Sequence, residues 1–449
     1  MIFFFIRIQH RNFFKTFFTT QLVARFASEA GNGKYPFQYY GNYFEHVAMV
    51  YEFLALSSEK CLFFISASCI LSLLIKCMDF SAKQRVVIGI DASRYASKYP
   101  TGVELYTNKI IEGLLHSDRR HKDNVIYRLY VRDLSHIDGL KHLLSDEDEV
   151  TVIDSPRLWT QVGLTRELKR VPVDLLFVPS HVLPRVPSQK TVMVVHGLES
   201  SHFPKAYSPF VRWYQKWSTR YAVTHASCLI AVSHAVRSDL RRFYDCFDEK
   251  IRVVYEGCGS LGSPPHSDYR EPWILSVGRI EERKNQLRLI RAFEKFHETH
   301  SDWKLILAGP DGFGAGKVHS YVRSLNVPVR DSIRFLGHVP HDKVMRLMAG
   351  ASIFAYPSLA EGFGLPILEA FSVGIPVLTS HSSACAEIAG DAALTVDPFD
   401  SESIARGLVL LADDSHLKAR MTSLGFERLR VFSWEKCIQE TEDVLFSFL

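Results

Sequence analysis

Two carboxylates flank a glycine turn in the stretch EGFGLPILE, which runs from Glu361 to Glu369. Carboxylates accept hydrogen bonds, and a pair so placed suits the hydroxyls of a ribose and a hexose. Between them, Gly362 and Gly364 permit a tight turn and let backbone approach a ligand without a Cβ in the way. Pro366 fits the first helical position, where its missing N–H costs nothing. A helix start carries unpaired N–H groups and partial positive charge, which suit phosphate or polar sugar oxygens. The β-branched and aromatic run from Ser352 to Tyr356 reads as a buried parallel strand feeding the turn. Together these features describe a nucleotide-sugar site. Taken alone, the stretch also fits a βα turn whose glutamates are merely solvated.

The elements that must position this stretch alternate regularly. From RVVIGIDA (85–92) onward, strand-like runs recur at 125–131, 149–153, 173–178, 190–195, 228–232 and 251–255. Helical segments at 104–115, 209–222 and 234–244 separate several of them. Ser260 to Glu271, with Gly, two prolines and mixed polar residues, breaks the pattern and reads as a linker. A second series follows, with strands at 273–279, 303–310, 333–339, 352–358 and 376–380. Its helices fall at 286–298, 341–349, 366–373, 401–412 and 414–430. Alternating β and α at this spacing predicts an α/β fold of two doubly wound parallel-sheet, Rossmann-like domains facing across a cleft. Gly102, His196, Arg279 and Glu361 all follow strands or their turns, and so should meet at that cleft. The predicted boundaries are 78–262, 263–433 and a C-terminal helix at 434–449 that packs back on the first domain.

Composition narrows the class. The 449 residues are 47% hydrophobic and 23% charged, within the globular range. A formal charge of +4 makes no case for a nucleic-acid partner. The eight cysteines form no CxxC pair and no metal-like spacing, as expected of reduced thiols in a cytosolic enzyme. Residues 1–77 differ from the rest: they hold 18 of the 55 aromatic residues and show no βα alternation. Residues 1–28 carry Arg7, Arg11, Lys15 and Arg25 without an acid, and Cys61 to Ile75 is an uncharged run of 15. A membrane span needs roughly 20. The extension reads as a signal-anchor, an organellar presequence, or an upstream reading-frame artefact with the natural start at Met78.

The second half resembles the nucleotide-sugar-binding domain of a GT-B glycosyltransferase, in the large retaining family numbered four. The resemblance covers residues 85–449 and is carried by GRIEERKN (278–285), the Glu361/Glu369 pair and EIAGDAALTVDP (387–398). In the first half, TGVELYTNKI (101–110), VVHGLESSHFPKAYS (194–208) and AVSHAVRSDL (231–240) are similar to the family's acceptor side.

The resemblance implies that Arg279 and Lys284 face the diphosphate and stabilise the leaving group without a metal or other cofactor. Glu281 and Glu282 could instead neutralise both cations. It implies hexose contacts for Glu361, ribose contacts for Glu369, and backbone contacts from Gly362, Phe363, Gly364 and Leu365. His196 resembles the histidine whose ring or backbone lies close to the transferred sugar. Where many relatives carry Asp next, this chain has Gly197, leaving the polar partner of His196 open. Gly102 would let its loop approach the phosphate. Asn285 is expected to cap the next helix, and Ser233 to touch the donor or cap its own helix. Cys385-Ala386 replaces a proline common before the glutamate at 387.

Phe210, Tyr214, Trp217 and Tyr221 share one helical face beside Arg212, Lys216 and Arg220. That face suits either the core or a peripheral membrane contact through 209–222. The implied activity is transfer of a hexose, with retention, from a nucleotide sugar to a glycan or lipid-linked acceptor. Through TGVELYT and GDAALTVDP the resemblance leans slightly towards mannose from GDP-mannose. A nucleotide-sugar epimerase or hydrolase would need a carboxylate pair near His196, and none stands out in the sequence. A non-catalytic nucleotide-sugar binder or scaffold is the third reading, against which stand the intact Arg279, Lys284, Glu361 and Glu369, positions that loss of catalysis usually frees to drift.

Overall fold

The computed structural model describes residues 85–96, 101–120, 124–155, 158–180, 182–185, 190–259 and 271–449. The extension at 1–77, most of the linker and the Tyr99-Pro100 dipeptide lie outside the described residues. The first sheet comprises β1 (Val86–Asp91), β2 (Val125–Val131), β3 (Glu149–Val152), β4 (Leu175–Val178), β5 (Lys190–Val195), β6 (Cys228–Ala231) and β7 (Ile251–Val253). Its order is β3-β2-β1-β4-β5-β6-β7, with every described pair parallel. The second comprises β8 (Glu271–Val277), β9 (Lys304–Ala308), β10 (Ile333–Gly337), β11 (Ala351–Tyr356), β12 (Val377–Ser380) and β13 (Leu394–Val396). It runs β10-β9-β8-β11-β12-β13, again parallel throughout.

Parallel strands covered by helices on both faces are buried and read as near-continuous apolar runs. Hence all seven residues of β2, VIYRLYV, are buried, as are LLFV of β4 and CLIA of β6. Covering helices include α1 (Gly102–His116), α2 (Pro209–His225), α3 (His234–Tyr244), α4 (Gln286–His297), α5 (His341–Gly350) and α6 (Leu365–Ser372). They continue with α7 (Ser383–Ala389), α8 (Ser401–Asp413), α9 (Ser415–Leu429) and α10 (Trp434–Phe446). Two of these elements, β13 and α7, are too short to stand out as periodic runs, and the sequence pattern misses them.

Strand order reverses between β1 and β4 and between β8 and β11. Such switch points open a crevice at the carboxyl ends of the strands. The segments that leave β1, β4, β5, β8 and β11 carry Gly102, Pro179, His196, Arg279 and Glu361 in turn.

The halves are bound together at several points. Phe363 and Ile367 of the second half share one core with the first-half strands. The chain crosses back after α9: Cys258 N–H donates to the Phe432 carbonyl at 3.0 Å, and α10 lies along α1. There the absence of a Cβ at Gly113 makes room for Ile438, and Arg119 pairs with Asp443. Lys190 Nζ reaches the Phe448 carbonyl at 2.6 Å.

Candidate active site

The loop after β8 is built to hold its cations in place. Gln286, at the start of α4, donates to the Arg279 carbonyl at 2.8 Å and accepts from Glu281 N–H at 3.2 Å. The Arg283 carbonyl accepts from Leu359 N–H at 2.8 Å, tying this loop to the one after β11. Asn285 does not cap α4 with its side chain, contrary to expectation. Its backbone is left-handed (φ 63°), and its amide donates to the carbonyls of Pro357 (2.9 Å) and Pro398 (2.6 Å). It fastens three loops instead.

Glu361 sits at the centre of the charges. Arg283 reaches it at 2.5 Å and Lys284 at 2.8 Å, with all three side chains largely buried. Burial alone would raise the Glu361 carboxyl, but Lys284 and Arg283 outweigh it and hold it below the usual range. Burial pulls the Lys284 ammonium down from its ordinary value even with Glu361 beside it. Burial works against the Arg283 charge too, yet Glu361 and then Glu199 keep that guanidinium above its ordinary value. Lys284 also donates to the Tyr356 hydroxyl and lies 4.7 Å from that ring's centroid. Glu281 pairs with Arg283 at 2.8 Å, and the carboxylate that pairs with Lys284 is Glu361. Arg279 remains exposed, its guanidinium 3.4 Å from the Asp311 carbonyl.

The glycine turn has both properties read into it. Gly364 is left-handed (φ 116°), and a Cβ on Gly362 would lie 1.7 Å from the His196 carbonyl oxygen. Only glycine permits that approach. Helix α6 starts at Leu365, which puts Pro366 at its second position, still within the turn whose N–H groups lack helical partners. Glu369 is mostly buried, with His341 Nδ1 at 3.8 Å, and burial holds its carboxyl above the usual range against the pull of His341. Gly102 opens α1 on the far side, where its missing Cβ would sit 3.5 Å from Leu365. Thr101 N–H donates to Glu104 at 3.0 Å in a capping box that fixes this start.

His196 is placed beside the turn, but its ring is turned away. Nδ1 lies 2.9 Å from Glu256 and Nε2 2.8 Å from the Pro179 carbonyl, with the ring edge-on to Tyr106. Both ring nitrogens are engaged within the first half, and the backbone carbonyl is what borders the turn. Glu256 is the partner that Gly197 left open, and it lies 60 positions along the chain. Gly197 also leaves room for Glu199, whose Oε1 lies 2.6 Å from where a Cβ would stand. So two carboxylates lie by the His196–Gly197 turn, Glu256 on the imidazole and Glu199 beside Gly197, a pairing the sequence alone did not reveal. Ser233 caps α3 by accepting from Val236 N–H at 3.1 Å, and donates to the Gly362 carbonyl at 2.6 Å. Both Glu387 oxygens accept from α3, from His234 N–H at 2.8 Å and Ala235 N–H at 2.9 Å. Arg283, Glu256 and Glu387 could not be assigned from spacing, because each partner is distant in sequence.

The aromatic face of α2 is only partly covered. Phe210 and Trp213 are 71% and 61% exposed, while Tyr221 packs against the core. Of the predicted stripe only Phe210 is exposed, whereas Tyr214, Trp217 and Tyr221 are half-buried. Among the described residues no helix is long and apolar enough to cross a membrane.

Two parallel-sheet domains with a cationic loop and a carboxylate-flanked helix start at the switch point define a GT-B glycosyltransferase. The chain belongs to the glycosyl transferases group 1. Residues 264–428 match that family, and residues 151–258 match Glycosyltransferase Family 4. It is 30% identical over 266 residues to the O-antigen chain mannosyltransferase B of Escherichia coli, covering 56% of this chain and 69% of that one. The O-antigen chain mannosyltransferase RfbU of Salmonella typhimurium is 26% identical, with 50% and 60% covered. In fold it is similar to Anabaena HepE in complex with UDP and glucose, at a TM-score of 0.61 and 19% identity, covering 81% of this chain and 100% of that one.

Proposed function

We propose that the protein transfers a hexose, with retention, from a nucleoside-diphosphate sugar to a hydroxyl of a glycan or lipid-linked acceptor. The observation that carries this reading is the gathering of Arg279, Lys284, Glu361 and the α6 start at the ends of β8 and β11. Arg279 and the α6 N–H groups offer positive charge to a diphosphate from two sides, with Lys284 behind them. Such charge stabilises a departing nucleoside diphosphate as it forms, without a metal ion. Glu369, buried and short of strong partners, suits ribose hydroxyls. The UDP and glucose bound by HepE support a nucleotide sugar as donor. The two O-antigen mannosyltransferases support mannose as the hexose, for which we propose GDP-mannose as donor.

Glu361 acts as a positioner. A carboxylate held by two cations is a weak nucleophile, and its oxygens are better suited to ordering hexose hydroxyls. Retention then follows from departure and attack on one face of the sugar, with the leaving phosphate helping to deprotonate the acceptor. An epimerase or hydrolase would need both first-half carboxylates free, whereas Glu256 is committed to His196. We assign the protein to the cytoplasm, with α2 touching a membrane surface.

The test is nucleoside diphosphate release by the full chain from GDP-mannose, UDP-glucose and UDP-N-acetylglucosamine, with and without EDTA. Release from GDP-mannose that survives chelation is expected. Absence of release from every donor would overturn the reading, and loss restored by magnesium or manganese would overturn the cationic clamp.

A further inference from the structure

We propose that Glu256 is a positioning residue for sugar transfer, acting through His196. The inference rests on the transferase reading above and adds to it a residue that no spacing in the chain announces. Its carboxylate, 4% exposed as a residue, meets His196 Nδ1 at 2.9 Å, and the imidazole meets the Pro179 carbonyl through Nε2 at 2.8 Å. A carbonyl only accepts, so Nε2 carries a hydrogen, and one more proton lies between Nδ1 and the carboxylate. Tyr106 closes the ring's side at 4.8 Å between centroids. The imidazole is thereby fixed inside the first half, and what His196 offers the cleft is its backbone carbonyl.

That carbonyl has little freedom. It stands 1.7 Å from the place a Cβ would take on Gly362, at the turn where the hexose is proposed to lie. Any drift of the His196–Gly197 turn changes the gap beside the reacting sugar. Glu256 is itself braced from behind. The neighbouring Gly257 has room only for hydrogen against the Trp434 backbone, and Cys258 N–H donates to Phe432 at 3.0 Å. The segment that crosses back from the second half thus presses the Glu256 loop onto the imidazole. Donor contacts from Arg279, Lys284 and Glu369 belong to the second half and do not depend on this brace.

The expected outcome is a split between rate and binding. Misplacement by about 1 Å costs on the order of 10²-fold in rate, so E256Q should lower kcat by about 10- to 100-fold. Its KM for GDP-mannose, and its affinity for GDP, should stay within about twofold of wild type. H196N should show the same split, and the double variant should be no slower than the slower single, because both changes remove one interaction. The wild-type proton spectrum should contain a downfield resonance from the Nδ1–Glu256 hydrogen, lost in H196N and lost or shifted in E256Q. The proposal is overturned if E256Q keeps kcat within twofold, if the two losses multiply, if KM rises while kcat holds, or if the resonance is absent. If E256Q does not fold, E256D, which retains the charge one methylene short, takes its place with the same criteria. If wild type turns over no donor, the transferase reading fails, while the resonance still decides whether the pair exists.

Discussion

At the scale of residues, the two glutamates flanking the turn have opposite surroundings, and so should their variants. On the proposed ribose contact, changing Glu369 to Gln removes a charge-assisted hydrogen bond worth about 1.5–3 kcal/mol, or one to two powers of ten in affinity. E369Q should therefore raise the donor KM and leave kcat nearly intact. Because burial holds the Glu369 carboxyl above its ordinary range, it takes up a proton at a higher pH than a solvated glutamate. Donor KM should accordingly climb early as pH falls, and in E369Q this climb should vanish. Glu361 runs the other way. Its folded-state value lies below the unfolded one, so its contribution to stability is present above the unfolded value and is lost as pH falls through the folded one. E361Q leaves Lys284 without its anion and Arg283 with Glu281 as its remaining ion pair, and should depress kcat and the unfolding midpoint together. Kinetics and urea melts on the two variants check both statements, and exchanged phenotypes would exchange the roles.

At the scale of elements, α2 shows how one periodicity serves two environments along a single helix. Its last turns bury Ser218, Thr219 and Ala222, while Phe210, Val211 and Trp213 stay exposed. The rings stack on one another: Trp213 on Trp217 with centroids 6.5 Å apart, and Trp217 on Tyr221 at 5.8 Å. Arg185 covers Trp217 from the side at 5.1 Å. Residues 204–225 contain Lys205, Arg212, Lys216 and Arg220 and no acidic residue. Aromatic rings beside cations favour the boundary of an anionic bilayer. The full chain should therefore sediment with vesicles containing phosphatidylserine and not with pure phosphatidylcholine. Replacing Phe210 and Trp213 by Ser should abolish sedimentation without changing GDP-mannose turnover in solution. Equal binding of the variant and wild type would remove α2 from the membrane contact.

At the scale of the whole molecule, the halves are joined by polar contacts as well as by core. Glu387 of α7 satisfies two N–H groups at the start of α3, where the helix also presents partial positive charge. Ser233, one residue earlier, holds the Gly362 carbonyl. Together they tie the start of α3 to the glycine turn and to α7. Glu387→Ala leaves the α3 start without its acceptor at a cost of about 1 kcal/mol. It should lower the urea midpoint modestly, raise the donor KM and lower kcat, because both faces of the cleft shift. Unchanged melts and kinetics would show that the core alone holds the halves together.

Much of this protein was determined by local sequence. The βα alternation, most element bounds and the placement of Glu361, Gly364 and Glu369 around a helix start follow from periodicity and turn chemistry acting over a few residues. Arg279 and Lys284 were legible for the same reason, since strand end and helix start fix their loop between them. What tertiary structure alone decided is which charges meet. Arg283 faces Glu361 from 78 positions away, Glu256 takes the imidazole of His196 across 60, and Glu387 caps a helix 153 positions earlier. Such pairs depend on strand order and on how two sheets face each other, and no short-range pattern records either. The ring of His196 turned inward, and Asn285 fastened loops instead of capping, because buried carbonyls and carboxylates without partners cost more than the local preferences they displaced.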